Sequence, residues 1–332
     1  MTNEIVKNYY QGIYLTETIM GNPNGDFIDN SPRNFDGNVF TTDKCIKFNI
    51  RKFIHESVER ISKSDKKDIE NFVFFHPRLD EGAEISDAKY LTKDKIYENH
   101  FKAEDKGFEK IIDKCPDVRM FGGTFTFTGV DPKQIYGPIQ LSYGKDINNA
   151  QIKRLQIGAP FATKDGKQTT TGSEAVVDDA VISYDITINP NNYPGLLKEK
   201  DLELFKKSIW YGTNLRKSTS KKTDSKLLIL IKFKNESDDK VTALNIGELK
   251  ELIKINNMNE RKKQDVPDKK IIINCNLLKE KLKKYSNFID EIEVYRDPSE
   301  IEIDLTENVE KGSNNIKISI KEPKDLLNEN NM

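Results

Sequence analysis

Residues 42–57 read TDKCIKFNIRKFIHES, and this stretch has the clearest helical pattern in the 332-residue chain. Its apolar side chains recur every three or four residues, which places them on one side of an α-helix. Thr42 is expected to cap the amino end, and Asp43 in the first turn suits the positive end of the helix dipole. The stripe that we expect to be buried consists of Ile46, Ile50, Phe53, Ile54, Ser57 and Ile61.

A second stripe of the same helix is cationic. At about 100° per residue, Lys44, Lys47 and Arg51 fall together beside the apolar residues. One interpretation is a cradle for phosphate groups, made by these cations, the helix amino end and the glycine-containing loop before it. The alternative is a flexible loop followed by a surface helix with an ordinary solvated basic side.

The segments on either side of this helix predict the opening of a βαβ or split βαβ unit. Tyr10–Met20 alternates as a strand, although Glu17 interrupts its apolar side and indicates that one end lies at a site or an edge. Residues 21–38, GNPNGDFIDNSPRNFDGN, are expected to lack regular structure because Gly, Asn, Asp and Pro dominate them. Phe72–Phe75 is predicted to be a short strand after the helix.

Periodicity predicts further strands and one more helix downstream. The helix runs from about Lys200 to Tyr211 and ends at Gly212. Leu227–Phe233 should be central in a sheet because it is almost continuously apolar. The other predicted strands are Thr124–Thr128, Ile135–Tyr143 and Val181–Ile188.

We expect the chain to divide into residues 1–235 and residues 236–332, where the composition changes. In the first part, residues 78–114 are predicted to be an insertion with short helices. Residues 145–180 include a polar stretch with a tight-turn signal, KDGK at 164–167, and are a candidate for a protruding hairpin. The second part is expected to be a variable α/β extension or a lid on the sheet.

Composition excludes several classes of protein. Lys plus Arg total 53 against 54 Asp plus Glu, so a globally basic nucleic-acid binder is excluded and any such site must be a local patch. The longest aliphatic run, Leu227–Ile231, is far shorter than a membrane span of about 20 residues. Three separated cysteines and three histidines, of which His55 is expected to be structural or solvated, give no metal-ligand spacing. We expect a cytoplasmic protein without a cofactor.

Two further clusters are candidates for contact with nucleic acid. Residues 117–125, DVRMFGGTF, combine an arginine, an aromatic residue and paired glycines, as RNA-recognition sheets do, but the match is partial and a bulge before a core strand is the alternative. Residues 214–222, NLRKSTSKK, place four cations among hydroxyl groups and suit phosphate contacts, with Arg216 and Lys217 at the front. A mobile solvated loop is the alternative there.

Three aspartates of the first loop, Asp26, Asp29 and Asp36, allow a different function. Carboxylates that hold Mg²⁺ near a phosphate would make a metal-dependent nuclease. Their spacing does not match a calcium-binding EF-hand.

Taken in order, these motifs resemble the Cas-seven family of the RAMP superfamily, the backbone subunit of type I CRISPR surveillance (Cascade) complexes, with subtype I-B most similar. The resemblance covers roughly residues 8–235. The motifs that carry it are GNPNGD (21–26), PR (32–33), TTDKCIK (41–47), IR (50–51), DVRMFGG (117–123), GPIQ (137–140), SYG (142–144), DLEL (201–204) and WYGT (210–213).

The resemblance implies an α+β fold, an RRM-like (ferredoxin-type) palm with an antiparallel sheet, large insertions as fingers and a protruding thumb hairpin. It implies copies that stack along one CRISPR RNA and present it for pairing with target DNA, without catalysis. The implied partners are further copies of the chain, Cascade subunits of the Cas-five, Cas-six and Cas-eight types, and the Cas-three nuclease-helicase. Target-RNA cleavage through a loop aspartate, as in related type III complexes, is the alternative.

By position, the resemblance assigns RNA contacts to residues of the loop, the helix and the glycine-rich segment, and Lys44 joins them by helix geometry. With the basic segment included, the candidate RNA-binding residues are Asn22, Asn24, Arg33, Lys44, Lys47, Arg51, Arg119, Gly122, Gly123, Arg216 and Lys217.

Overall fold

One mostly antiparallel sheet of eleven strands organises the part of the chain that the structure, a computed structural model, describes. The described residues are 4–66, 68–80, 89–102, 107–129, 131–159, 170–235, 244–261, 270–305, 308–309 and 316–328. The helices are α1 (Asp43–Ser57), α2 (Lys93–His100), α3 (Gly107–Lys114), α4 (Pro116–Phe121), α5 (Glu199–Leu215), α6 (Met258–Arg261), α7 (Asn276–Lys284) and α8 (Asp325–Asn328). The strands are β1 (Tyr10–Gly21), β2 (Asn34–Phe35), β3 (Asn38–Thr41), β4 (Arg60–Ile61), β5 (Ile69–Glu70), β6 (Gly122–Phe125), β7 (Lys133–Tyr136), β8 (Ile139–Leu141), β9 (Gly144–Asp146), β10 (Ile152–Ala159), β11 (Thr170–Ile188), β12 (Thr223–Phe233), β13 (Lys254–Ile255), β14 (Ile271–Asn274), β15 (Ile289–Arg296), β16 (Ile301–Ile303), β17 (Asn308–Val309) and β18 (Ile316–Lys321).

The centre of the sheet has the order β12–β1–β11–β8, and each neighbouring pair is antiparallel. In this register Tyr14 lies opposite Tyr184 of β11 and Leu228 of β12. β15 pairs with the other edge of β12, so the prediction that Leu227–Phe233 is a central strand is confirmed. The prediction of a strand over Val181–Ile188 is also confirmed, within the longer β11.

Both sides of the central strands are covered. Helices α1 and α5 pack on the side that carries Tyr14, Tyr184 and Leu228. On the opposite side, Ile13 and the neighbouring odd-numbered apolar residues pack against elements that follow residue 244, including α7 and the small sheet β13–β14–β16. Among the described residues, the central strands therefore leave neither side open to a ligand.

Glu17 at the end of β1 is buried rather than placed at a free edge. Its carboxylate pairs with the buried Arg261 of α6 and lies 3.3 Å from Lys226 Nζ of β12. Arg261 also contacts Asp179 of β11 at 3.0 Å. This ion-pair network attaches the segment after residue 244 to the central strands.

The α1 helix begins after Thr42, as predicted, and buries Ile46, Ile50, Phe53 and Ile54. Its predicted stripe is too long, because the helix ends at Ser57, which is exposed, and Ile61 lies in β4. The Thr42 side chain makes no capping bond to the helix, although the residue holds the capping position.

Helix α5 crosses α1 at Gly212, which corrects the predicted helix end. The helix continues to Leu215, and Gly212 lies inside it. A Cβ at this position would come within 2.8 Å of the Asn49 carbonyl carbon, closer than real Cβ contacts. The Tyr14 hydroxyl joins the same helix to the sheet through Ile209 O at 3.0 Å and Thr213 Oγ1 at 2.8 Å.

Two further local predictions are wrong for identifiable reasons. Phe72–Phe75 forms no strand, because side-chain carboxylates accept the backbone hydrogen bonds of Val73, Phe74 and Phe75. Ile135–Tyr143 is broken into β7 and β8 at Gly137-Pro138.

Residues 21–38 include the strand β2 and the first residue of β3. Asp36 and Gly37, at φ +49° and +82°, form the two-residue turn of the β2–β3 hairpin. An Asp-Gly pair favours such a turn, and the sequence reasoning overlooked it.

Two segments of the first part have their own arrangement. β10 pairs with the first half of β11, from Ile152–Val177 to Ala159–Thr170, while β1 pairs with β11 from Val177 onward. The predicted turn at 164–167 lies outside the described residues.

In the region of the predicted insertion, α2 and α3 pack around a separate core with Phe72, Phe74 and Phe125. Among the described residues, no helix combines the length and apolar character that a bilayer span requires.

We predict that Gly212→Ala lowers the free energy of unfolding by about 1–3 kcal/mol, because the added methyl group must force α1 and α5 apart. Chemical denaturation measures the change. The matched control is Gly158→Ala, where nothing lies within 4 Å of the new methyl group and little change is expected. Equal stability of the two variants would contradict the packing argument.

Candidate nucleic-acid interface

Three segments that are distant in the sequence meet at the amino-terminal half of α1. They are the loop after β1, the helix itself and residues 216–222 after α5. The Asn22 backbone N–H donates to Ser220 O at 2.7 Å, and Lys221 Nζ donates to Pro23 O at 2.9 Å. The structure thus brings together the loop and helix of the predicted phosphate cradle and the basic segment at residues 214–222.

Asparagines of the loop hold its shape. Asn24 Oδ1 accepts hydrogen bonds from the Thr42 backbone N–H at 3.0 Å and from the Thr42 hydroxyl at 3.1 Å, which fixes the loop to the start of α1. Asn22 is buried and donates to Asn30 O at 2.5 Å. Arg33 is half-buried, with its guanidinium 5.3 Å from the centre of the Phe27 ring. Asn22 and Asn24 therefore position the loop from within.

The predicted cationic stripe lies along α1, but its members differ in exposure and in ion pairing. Lys44 is exposed, whereas Lys47 pairs with Asp43 at 3.1 Å. Arg51 pairs with the buried Asp117 at 3.2 Å. Lys47 and Arg51 both lie over the Phe121 ring, 5.5 Å and 5.4 Å from its centre. Two of the three cations of the stripe, Lys47 and Arg51, are therefore held over one aromatic ring.

Asp117 gives Arg51 a second, structural role. The Asp117 carboxylate also accepts from the Phe74 and Phe75 backbone N–H groups, each at 3.0 Å. Arg51 in turn lies 5.5 Å from the centre of the Phe75 ring. This pair connects α1 to α4 and to the irregular segment at residues 72–76.

The basic segment after α5 places one of its predicted cations on α1 and one away from it. Arg216 lies over the Phe48 ring, 4.7 Å from its centre, and donates to Asn49 Oδ1 at 3.3 Å. Lys217 instead pairs with Asp224 at the start of β12, at 2.5 Å. Lys221, another cation of this segment, bonds to Pro23 O of the loop before α1.

The surroundings of Lys221 mark a local excess of positive charge. Burial lowers the pKa of Lys221 to about 8, and the neighbouring Arg216 acts in the same direction while Cys45 opposes it. Within the described part of the chain, neither Arg216 nor Lys221 forms an ion pair with a carboxylate. Two adjacent cations without a protein counter-ion attract an anion, and a bound phosphate would raise the pKa of Lys221 again.

Arg119, which we expected to contact RNA, lies inside the protein. Its side chain is 2% exposed and donates two hydrogen bonds to Asp201, at 2.8 and 2.7 Å. It also donates to the carbonyls of Ile112 and Asp113 at the end of α3. Burial alone would lower the pKa of Arg119, but the Asp201 carboxylate outweighs it and raises that pKa. Arg119 joins three helices and is not placed to contact RNA.

The paired glycines are also explained by packing. At Gly122, which has φ +68°, a Cβ would collide with the Ile135 carbonyl oxygen of β7. At Gly123 it would collide with the Phe75 ring. Both glycines permit close approach within the protein, so packing rather than RNA contact explains them. Because β6 pairs with β7 in an unbroken register, the bulge that was the alternative interpretation does not form either.

The loop aspartates bond mainly to their own loop. Asp26 Oδ1 accepts from the backbone N–H groups of Ile28 and Asp29 at 2.8 and 3.1 Å. The backbone N–H of Ser31 donates to Asp29 and lowers the pKa of that carboxyl. In the ranges that the structure describes, no three His, Cys, Asp or Glu side chains converge as a metal site would require.

Histidine and phenylalanine side chains on α1 form contacts that the sequence did not predict. The His76 ring lies 5.8 Å from Phe48 and 4.5 Å from His55, between centroids. No periodic signal connects residue 76 to positions 48 and 55, because residue 76 follows a different element.

Comparison with known proteins identifies a family and a set of similar solved structures. The family model described as "CRISPR-associated protein Cas7" matches residues 8–274. A search of curated proteins finds no match. A chain of "CRISPR RNA-guided surveillance complex, pre-nicking" has a TM-score of 0.46 and 8% identity, covering 96% of this chain and 98% of that one. A chain of "CRISPR RNA-guided surveillance complex" has a TM-score of 0.45 and 8% identity, covering 90% and 95%.

We predict that Arg119→Ala lowers the free energy of unfolding by about 3–5 kcal/mol, because it leaves the Asp201 carboxylate buried without its partner. Thermal or chemical denaturation measures the loss. Arg154→Ala is the control, since its side chain is 72% exposed and its removal should change stability by about 0.5 kcal/mol or less. A stable Arg119→Ala protein with weakened RNA binding would reinstate the original assignment.

Proposed function

The chain belongs to the Cas7 family of CRISPR-associated proteins, and from this premise we propose that it is a backbone subunit of a type I surveillance (Cascade) complex that binds CRISPR RNA. The structural observation that carries the proposal is the group of cations on one side of α1, joined by Arg216 and Lys221 from the segment after α5. We call this group, with Lys44, Lys47 and Arg51, the α1 cationic surface.

The α1 cationic surface suits a phosphate backbone rather than a base sequence. Its members are point charges and guanidinium groups, which neutralise phosphates whatever base is attached. The chain as a whole carries a formal charge of −1, so copies can line up without strong mutual repulsion while each holds the polyanion locally. Pairing between guide and target DNA supplies the sequence specificity.

The finer architecture is part of the same proposal. A ferredoxin-type, RRM-like palm has the chain order β-α-β-β-α-β, and here the corresponding elements are β1, α1, β8, β11, α5 and β12. The antiparallel sheet order β12–β1–β11–β8 supports that assignment. Because both sides of the central strands are covered, RNA would bind beside α1 rather than on the sheet. The β10–β11 hairpin is the proposed thumb, and assignment to subtype I-B stays a prediction.

We take the subunit to be non-catalytic and cytoplasmic, and its partners to be further copies, other Cascade subunits, the Cas-three nuclease-helicase and target DNA through the guide. The hydrogen bonds of Asp26 and Asp29 within their own loop support a structural role for these aspartates. No specific observation favours the alternative, cleavage of target RNA with Mg²⁺.

We predict that Lys44→Gln combined with Lys47→Gln weakens binding of single-stranded RNA equally for different base sequences. The slope of log affinity against log salt concentration should become shallower by about 0.7 per lost phosphate contact. Fluorescence anisotropy over a series of KCl concentrations measures both quantities.

The matched control is Lys317→Gln combined with Lys324→Gln. It removes the same charge from two exposed, ion-paired lysines near the carboxyl end of the chain. An equal effect of both double variants would mean that net charge alone governs binding. An unchanged slope in the Lys44/Lys47 variant would contradict the proposed site.

A further inference from the structure

Four planar side chains form a row on α1, and the proposed phosphate contacts do not use them as a set. Phe48 and His55 belong to the helix, His76 comes from the segment after β5, and Arg216 comes from the end of α5. The Arg216 guanidinium lies 4.7 Å from the centre of the Phe48 ring. Centroid distances are 5.8 Å from Phe48 to His76 and 4.5 Å from His76 to His55. We call these four side chains the planar row.

The planar row is partly exposed and held in place. None of its members is fully buried, and the His55 side chain is 31% exposed. His55 Nδ1 lies 3.3 Å from Glu59, whose carboxylate also binds the guanidinium of Arg78. Arg216 is fixed by its bond to Asn49 Oδ1. His55 and Arg216 are therefore oriented before any ligand binds, which lowers the entropic cost of binding.

His76 is uncharged at neutral pH. Burial lowers its pKa to about 4, and the neighbouring His55 and Arg78 act in the same direction. A neutral imidazole presents a flat π surface that is less strongly hydrated than an imidazolium ion. In the row, it behaves as an aromatic ring beside Phe48.

The planar row lies directly beside the α1 cationic surface. Arg216 belongs to both, and Lys44 and Arg51 are four and three residues from Phe48, about one turn along the helix. The distance along α1 from position 48 to position 55 is about 10 Å, which matches roughly three nucleotides at about 3.4 Å each. A strand whose phosphates contact the cations would therefore have the planar row within reach of its bases.

We propose that the planar row stacks unpaired bases of the bound RNA strand, without preference for a base sequence. Combined cationic and aromatic surfaces hold single-stranded nucleic acid in this way, because every base has a π face. This inference rests on the proposed function, and it assigns to α1 a base-contacting surface in addition to its phosphate-contacting one.

The direct experiment compares two RNA strands of equal length and charge with the full-length chain. One is intact, and the other is fully abasic, so that no register of binding offers a base to the planar row. Base stacking predicts about 10-fold or greater loss of affinity for the abasic strand. Equal affinity for both strands would overturn the inference while leaving phosphate binding intact. Absence of binding to either strand would instead refute the proposed function.

Variants locate the effect on the planar row. Phe48→Leu keeps an apolar side chain but removes the ring, and should lose about 10-fold in affinity for intact RNA and little for fully abasic RNA. The control, Phe288→Leu, removes a ring that is 43% exposed beyond the opposite end of β12 and should bind as the wild type does. If Phe48→Leu does not fold, His76→Gln gives the same comparison. Equal losses on intact and abasic RNA would overturn the inference.

Discussion

The proposed RNA site depends on the close crossing of α1 and α5, which only a residue without a side chain permits at position 212. Asn49 lies on α1 at this crossing, and its amide oxygen accepts a hydrogen bond from Arg216, the first residue after α5. The Tyr14 hydroxyl secures α5 to the sheet through Ile209 and Thr213. A packing constraint in the core thus determines where a surface cation lies.

Positive charge at this site is local, and the rest of the molecule balances its charges. Arg119 and Arg261 are buried and paired with carboxylates, so they contribute to stability rather than to the external field. Arg216 and Lys221 have no such partner in the described residues, and the lowered pKa of Lys221 reflects the burial and repulsion that an anion would relieve. A nearly neutral protein can therefore bind a polyanion at one place on its surface.

Sequence periodicity predicted the elements whose structure depends on residues close together in the chain. The start of α1, its four buried apolar residues and the central position of Leu227–Phe233 followed from periodicity. Gly212 looked like a helix end because its reason for being glycine is a contact with Asn49, 163 positions earlier by residue number. Phe72–Phe75 resembled a strand, but Asp117 and Glu59 supply acceptors for its amides. Arg119 resembled an RNA contact because its partner, Asp201, is 82 residues away. His76 reached Phe48 through tertiary structure alone.

The central claim is that a single RNA strand lies along α1 and the segment after α5. Photocrosslinking with 4-thiouridine-substituted RNA, followed by mass spectrometry of the crosslinked peptides, tests it most directly. The account predicts crosslinks in peptides from residues 43–55 and 216–222. Crosslinks confined to the segment after residue 244, with none on α1, would contradict it.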